Sequence, residues 1–395
     1  MTSPHRRILG TAALFLTVMT GCGEPAADTI APTHGQLTGP GDAACSVGDD
    51  VRAVAIILPV HQGAAAGVPA QFRCIIRAAI TRSLPIRVIT AEGTPRVALK
   101  FQAHPDPVNP VAFEDDIQNA EAELLTGITA LTAGTAGNDA WGAIQLAARE
   151  LVSIDAGGTN GLILSRDNGT SDRGLLRTTE PGMTSAEPKE VAAFLTRNGG
   201  CEDLDGISLA LHGLGETLAP HPALSARQKD ALADQFQTSL AACGATATTA
   251  PLPATGTGTS PGHPTTPITP DPAIAFDVKA RKISLRQDAL GFAADKAEFL
   301  VPDRAHNLLR DLAAQLRDNP TTRVTIRGRT AAGPTAWPSL QALGRARAEL
   351  CAQVLRDAGI HPTRISVNGA GYLADPPITG PATAALNRVT EFEFN

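Results

Sequence analysis

Aromatic residues are scarce in this chain of 395 residues, which has 11 Phe, 2 Trp and 1 Tyr. Proteins that bind single-stranded nucleic acid stack its bases on aromatic side chains, so this scarcity argues against such a platform. A basic excess is also missing: the formal net charge is −6, whereas a surface that follows a phosphate backbone needs clustered Lys and Arg. We therefore expect no nucleic-acid partner.

Common metal-binding motifs are missing as well. The sequence has no CxxC pair and no HExxH, the patterns of zinc ribbons and zinc proteases. We expect neither a metal nor another cofactor. Global disorder is excluded, because 43% of the residues are hydrophobic and the 37 Gly and 30 Pro stay below the roughly 25–30% typical of low-complexity chains.

Residues 1–21 are predicted to be a lipoprotein signal peptide. Basic residues at positions 5–7 precede an apolar run of 12 residues, Ile8–Met19, which is shorter than the roughly 20 residues that span a bilayer. The run ends in Met19-Thr20-Gly21-Cys22, which resembles the lipobox of bacterial lipoproteins. The resemblance implies an acylated Cys22 and a lipid anchor on the extracytoplasmic face of the cell membrane. The alternative is an ordinary signal peptide with an incidental cysteine.

Two segments without apolar periodicity divide the rest of the chain. Residues 22–48 are small and polar and predict a flexible tether, and residues 246–272 are rich in Pro and Thr and predict an interdomain linker. The first domain is therefore predicted at 49–245 and the second at 273–395.

Apolar strands alternate with amphipathic helices in the first domain. This pattern predicts an α/β fold with a doubly wound, mostly parallel sheet that is covered on both faces. The turn residues Gly93-Thr94-Pro95 predict a hairpin within it. The order of strands and helices resembles the von Willebrand factor type A domain. The predicted strands are Val51–Val60, Ile86–Glu92, Val97–Ala103, Gly161–Arg166 and Ile207–His212.

The von Willebrand A family has a metal site after its first strand, where an Asp and two Ser stand at alternate positions. The matching residues here are Pro59, His61 and Gly63, which supply neither a carboxylate nor a hydroxyl. Thr135 and Asp167 match the family's remaining Thr and Asp. Because Mg²⁺ needs a nearly octahedral shell of oxygen atoms, the resemblance implies a degenerate site, and we expect no metal there.

Two cysteine pairs are candidates for disulfides. In a parallel sheet, the start of a strand and the end of the helix that follows it lie at the same edge. Cys201 precedes the strand at 207–212 and Cys243 closes the next helix, so we predict that these two residues are bonded. Cys45 and Cys74 are the second candidate pair.

One Gly-rich segment offers a different function. Asp155-Ala156-Gly157-Gly158-Thr159-Asn160 resembles the phosphate-binding DxGGTN hairpin of sugar kinases, in which glycines let the backbone approach a phosphate. The resemblance implies a nucleotide-dependent enzyme. The residues before Asp155 continue a helical pattern, where a kinase needs a strand, so we favour a loop that joins a helix to a strand.

The second domain carries ordered landmarks of another family. Four segments match motifs of that family in order. Residues 328–331 match the GHTD motif at a strand end, 343–348 the LSxxRA motif that opens a helix, 369–371 a GxG turn and 387–389 the NRRVE motif of the final strand. This pattern resembles the OmpA-like, peptidoglycan-binding domain. The resemblance implies an α+β fold in the order βαβαββ.

The family holds the diaminopimelate of peptidoglycan with the Asp of GHTD and the Arg of LSxxRA. Arg347 matches that Arg, but Ala331 replaces the Asp. No Asp or Glu occurs from Thr321 to Ala348, so we expect a site biased toward anions, because guanidinium groups bind carboxylates or phosphates in pairs of hydrogen bonds. The candidate ligand-binding residues are Arg347, Arg329, Thr330 and Arg388.

These features predict a non-catalytic, lipid-anchored envelope protein. Its second domain is expected to contact peptidoglycan or another anionic wall ligand, and its first domain an envelope protein. Two alternatives stay open: an enzyme with the DxGGTN loop, and a pure scaffold in which both family sites are lost.

Overall fold

The computed structural model describes residues 47–106, 108–154, 160–252, 263–270, 276–331, 337–372 and 379–395. It has a mixed α/β architecture with two sheets, the first of them mostly parallel. The elements of the first sheet and its helices are β1 (Ala53–Pro59), α1 (Ala70–Thr81), β2 (Ile86–Ala91), β3 (Arg96–Phe101), α2 (Pro110–Thr129), α3 (Ala140–Ile154), β4 (Gly161–Ser165), α4 (Pro188–Arg197), β5 (Ser208–His212), α5 (Ala226–Ala242) and β6 (Thr246–Ala250).

The first sheet has the strand order β3-β2-β1-β4-β5-β6. All neighbouring strands are parallel except β2 and β3, which form an antiparallel hairpin around the predicted turn. Every residue of the central strand β1 is buried. Its side chains alternate between two apolar clusters: Ile57 packs with residues of α3 and α5, whereas Ile56 packs with residues of α1 and α2. Both faces of the sheet are therefore covered, as the near-continuous apolar run of β1 predicts.

The segment that the sequence analysis assigns to a linker contacts the first domain in two places. Residues 246–250 form β6, which pairs in parallel with β5, and residues 263–270, here called the strap, lie against loops of the first sheet. Thr residues in β6 have good strand propensity, but one polar edge strand gives no apolar alternation in the sequence. The domain limits remain predictions.

The second sheet lies in the C-terminal part of the chain and has the strand order β7-β10-β8-β9. Strands β8 and β9 are parallel, and β10 is antiparallel to both β7 and β8. A short helix between the last two strands extends the predicted βαβαββ order. The elements are β7 (Lys282–Arg286), α6 (Gln287–Leu290), α7 (Pro302–Asp318), β8 (Val324–Arg329), α8 (Trp337–Asp357), β9 (Ile365–Gly371), α9 (Pro381–Asn387) and β10 (Val389–Phe394).

Glycines let helix α8 lie directly on this sheet. A Cβ atom on Gly328 of β8 would be 1.9 Å from the carbonyl oxygen of Gly344 on α8, and one on Gly369 of β9 would be 2.2 Å from the carbonyl oxygen of Gln341. Backbone atoms cannot move aside as side chains do, so no larger residue fits at either position. This close approach fixes the position of Arg347, which lies one turn further along α8.

Cys201 and Cys243, the pair predicted from the order of elements, form a disulfide with an S–S distance of 2.03 Å. Cys74 is also disulfide-bonded, while Cys45 lies outside the described residues. Cys351 on α8 is a buried free thiol, and burial raises the pKa of that thiol. It behaves as a small apolar residue in the core of the second sheet.

Candidate functional site

The carboxyl end of the first sheet places three buried polar side chains together. His61 follows β1, Asp167 follows β4 and Asn138 precedes α3. The Nε2 atom of His61 is 3.0 Å from Oδ2 of Asp167, and its Nδ1 atom is 2.8 Å from the carbonyl oxygen of Gln62. A neutral imidazole has one N–H, so the tautomer of His61 determines which of its two nitrogen atoms donates.

The residues at this edge do not fit the metal site of the von Willebrand A family. Asp167 already accepts hydrogen bonds from the Asn138 amide and from the Gly169 backbone N–H, in addition to its contact with His61. Thr135 donates its hydroxyl to Glu92. Among the residues that the structure describes, no group of three or more His, Cys, Asp or Glu could hold an ion, and the absence of a metal stays a prediction.

The strap (263–270) crosses the same edge of the first sheet. Oγ1 of Thr265 donates to the carbonyl oxygen of Gln62 and is 2.9 Å from Nε2 of His221, and the Thr266 backbone N–H donates to Oδ2 of Asp172 at 2.8 Å. Further along, Ile268 is 4% exposed and packs on Leu224 and Leu232. In open α/β sheets, ligands bind at this edge, where the strand order reverses between β1 and β4. In this chain the strap occupies that position.

Replacing Asp172 by Asn is expected to loosen the strap. Hydrogen bonds to Asp172 from the backbone N–H groups of Thr266 and Asn138 outweigh burial and lower the pKa of its carboxyl. A neutral amide in its place is a weaker acceptor, so we expect the backbone N–H of Thr266 to exchange with solvent about tenfold faster. Hydrogen exchange measured by mass spectrometry on a peptide covering 263–270 checks this, with peptides of α5 as the internal reference. Unchanged exchange in the strap would refute the role of Asp172.

Two other predicted sites, the DxGGTN motif and the lipidated Cys22, fall wholly or mostly on residues that the structure does not describe. Asp155–Thr159 of the DxGGTN motif lie outside the described residues; α3 ends directly before them at Ile154, and β4 follows at Gly161. Cys22 also lies outside the described residues. In the part of the chain that the structure does describe, no helix combines the length and the apolar character needed to cross a bilayer.

Arg347 is buried beneath the loop that contains Ala293 and Lys296, and its side chain has several partners. The residue is 4% exposed. Its Nε donates to the carbonyl oxygen of Lys296 at 2.9 Å, one terminal nitrogen donates to that of Ala293 at 3.0 Å, and its guanidinium carbon lies 5.1 Å from the ring centroid of Phe292. Burial, together with the nearby Arg388, lowers the pKa of Arg347 to about 10. The guanidinium therefore helps to hold this loop in place.

Two of the other predicted ligand residues pair with acidic side chains, and the third is buried. Arg329 lies at the end of β8 with its Nε 3.0 Å from Oε2 of Glu391 on β10. Thr330 follows it, is 2% exposed, and its hydroxyl has no hydrogen-bond partner among the described residues. Arg388 forms an ion pair with Glu190 of α4. The structure thus places Arg347 and Arg388 close together, with Arg329 held on the sheet.

The acid-free segment 321–348 is not free of acids in space. Glu391 and Glu393 of β10 lie within 4 Å of arginines on the neighbouring strand β8. Near Arg347, the carboxylates of Asp295 and Glu187 favour its charged form. Strand pairing and tertiary contacts supply these carboxylates from distant parts of the chain, so the local sequence gives no sign of them. The expected bias of the site toward anions stays a prediction.

Helix α9 packs against α4 of the first domain, a contact that the sequence analysis did not predict. Ala382 and Ala385 are 3% and 2% exposed and belong to the same apolar cluster as Val191 and Leu195 of α4. A short alanine-rich helix has no periodic apolar stripe. The only available signal was Pro381 at the first helical position.

Comparison with known proteins identifies the second sheet region. Residues 292–388 match the OmpA family. Solved structures that resemble the chain include a MotB-like protein from Desulfovibrio vulgaris (23% identity over 29% of this chain and 72% of that one, TM-score 0.26) and the periplasmic domain of Helicobacter pylori MotB (20% identity over 29% and 74%, TM-score 0.26). The peptidoglycan-associated lipoprotein from Burkholderia pseudomallei is 21% identical over 28% of this chain and 89% of that one, with a TM-score of 0.24. No curated protein matches the chain. The C-terminal part of this chain is thus an OmpA-like domain.

Proposed function

We propose that this chain is a non-catalytic envelope protein, anchored by lipid at Cys22, that contacts peptidoglycan or another anionic wall ligand through its OmpA-like domain. The family match over residues 292–388 carries the proposal. Arg347 stands on α8 at the position that the family uses for the carboxylate of diaminopimelate. The close packing of α8 on β8 and β9 supports this placement.

We also propose that residues 49–245 form a von Willebrand A-like domain that binds an envelope protein. The strand order β3-β2-β1-β4-β5-β6 with an antiparallel β3 supports this assignment.

Ala331 limits the strength of the wall contact. Ala331 is 8% exposed and directly follows Thr330. It stands at the position where the family has its Asp. An ammonium group without that carboxylate lacks one charge-assisted hydrogen bond, which corresponds to about ten- to a hundredfold in affinity. A lipid anchor on the same chain would offset part of this loss, because it raises the effective concentration of the domain at the wall.

Restoring the acid is the direct test. We expect Ala331→Asp in the full chain to increase the retained fraction on purified peptidoglycan sacculi, with an apparent affinity about tenfold higher or more. Sacculi from an organism with diaminopimelate should show the gain. Sacculi with lysine at that position should bind both the variant and the natural chain more weakly, because lysine lacks the second carboxylate, which Arg347 would bind. Equal binding by the variant and the natural chain on both would contradict the proposed ligand.

Arg347 is tested separately. Arg347→Lys keeps a positive charge but not the paired hydrogen-bond geometry, so we expect retention to fall about tenfold. Arg345→Lys is the matched control, because Arg345 is exposed on the same helix. A thermal melt of each variant shows whether the loop at Ala293 and Lys296 still holds. Equal retention of both variants and the natural chain would remove Arg347 from the site.

A scaffold is the second candidate function. It is favoured by one observation, that Arg347 donates hydrogen bonds to two backbone carbonyl groups of its own domain. In that case the arginines serve the fold, and neither Ala331→Asp nor Arg347→Lys would change retention on sacculi.

A further inference from the structure

Helix α9 of the OmpA-like domain packs against the first domain, and the contact is close. Gly182, which precedes α4 in the chain, has φ +92°, and a Cβ atom there would be 2.5 Å from the carbonyl oxygen of Ala382. Ala382 and Ala385 are buried in the cluster that also contains Met183. An ion pair also joins the two domains: Arg227 of α5 is 2.6 Å from Asp288 of α6.

This contact brings acidic residues of the first domain to the predicted ligand residues. Glu190, in the first turn of α4, forms an ion pair with Arg388, which directly follows α9. Glu187 is the N-cap residue of the same helix. Burial raises the pKa of Glu187, whereas the positive charges of Arg388 and Arg347 lower it. Glu187 therefore lies in the electrostatic field of both arginines that the proposed function assigns to a wall ligand, and Glu190 pairs directly with one of them, Arg388.

A glutamate side chain presents the same group as an anionic wall ligand. The stem peptides of peptidoglycan end in carboxylates, and guanidinium groups bind all carboxylates by the same charge-assisted hydrogen bonds. The N–H groups of Arg388 that pair with Glu190 cannot bind an external carboxylate at the same time. We propose that the α4 edge, Glu187 and Glu190, is an internal competitor of the wall ligand, so that the OmpA-like domain binds the wall only after it separates from α4.

The competition rests on the proposed function and predicts how the wall ligand and the interdomain contact affect each other. The ligand binds the separated form better than the docked form, so it shifts the chain toward separation, and weakening the docked form raises the apparent affinity. Removing the two carboxylates, as Glu187→Gln/Glu190→Gln, is expected to raise the apparent affinity of the full chain for sacculi about tenfold.

A matched control separates this local effect from net charge. Asp115→Asn/Glu123→Gln removes two negative charges from exposed positions of α2, and we expect no gain in sacculus binding from it. If both double variants gain equally, net repulsion from the wall explains the result and the competition is refuted. If the Glu187/Glu190 variant binds as the natural chain does while Arg347→Lys still weakens binding, the proposed function stands and the competition alone fails.

Hydrogen exchange of the natural chain gives a second test that needs no variant. We expect a soluble muropeptide, added at saturating concentration, to speed exchange in a peptide covering α9 and in one covering residues 182–191. The peptide covering β1 serves as the reference, because β1 is buried in the first sheet. Bound muropeptide without faster exchange in α9 would overturn the competition, and no binding at all would overturn the proposed function with it.

Discussion

Replacing Glu92 by Gln is expected to lower the free energy of unfolding of the first domain by about 4 kcal/mol. Glu92 directly follows β2, is fully buried, and joins the β2–β3 hairpin to the loop before α3. Its Oε2 accepts the backbone N–H groups of Gly134 and Thr135 at 2.5 and 2.6 Å, and its Oε1 accepts the Thr90 hydroxyl and contacts Nε of Arg96. In the Gln variant an NH₂ group replaces one carboxylate oxygen. That NH₂ group would face N–H or O–H donors, which would then have no acceptor.

The same variant should change the dependence of stability on pH. Burial alone would raise the pKa of Glu92, but hydrogen bonds from Thr90, Thr135 and Gly134 outweigh it and hold the pKa below its ordinary value of 4.5. The folded protein therefore binds this proton less readily than the unfolded chain does. The carboxylate stabilises the fold fully above about pH 4.5, and this contribution is lost as the pH falls through the lower, folded-state pKa.

Urea unfolding followed by the fluorescence of Trp141 measures both effects. Trp141 is fully buried beside Phe236 in the first domain, and a Trp337→Phe background leaves it as the only tryptophan. Glu150→Gln is the control: its carboxylate pairs with Arg87 and Lys100 at a partly exposed position, where the expected loss is below about 1 kcal/mol. Similar losses for both variants, or a difference that persists at low pH, would contradict the role of Glu92.

Removing the disulfide between Cys201 and Cys243 is the second change with a large expected effect. The bond closes a loop with a sequence separation of 42, and loop-closure entropy for that length corresponds to about 4 kcal/mol of stability. We expect Cys201→Ala/Cys243→Ala to lower the free energy of unfolding by that amount.

The urea midpoint of the Trp141 transition again provides the measurement. Cys351→Ala removes a buried sulfur without opening a loop, and because it lies in the OmpA-like domain we expect the Trp141 transition to stay where it is. A double variant with an unchanged midpoint would show that the loop is already constrained by other contacts in the unfolded chain.

The OmpA-like fold could be predicted from sequence because its landmarks are dense and ordered. Gly328 and Gly369 mark strands that a helix approaches closely, and Arg347 follows at a fixed spacing on that helix. The hairpin around Gly93 and the buried strand β1 were predictable for the same reason: each depends on residues that are near one another in the chain.

The surroundings of the ligand residues could not be predicted in this way. Glu391 reaches Arg329 through pairing of β10 with β8, and Glu190 reaches Arg388 through a contact between helices far apart in sequence. Charge counted along a segment does not predict charge in space when the neutralising groups arrive by tertiary packing. The sequence shows His61 at a position where the von Willebrand A family has a metal ligand, but the pairing of His61 with Asp167 depends on two loops that meet only in the fold.

The strap also determines how far the OmpA-like domain can extend from the first domain. While residues 263–270 follow the edge of the first sheet, their contour length does not contribute to the span between the two domains. Released from Asp172 and Gln228, these eight residues would lengthen the connection by about 27 Å when extended. Once α9 has separated from α4, undocking this one short segment would extend the reach of the OmpA-like domain without unfolding either sheet.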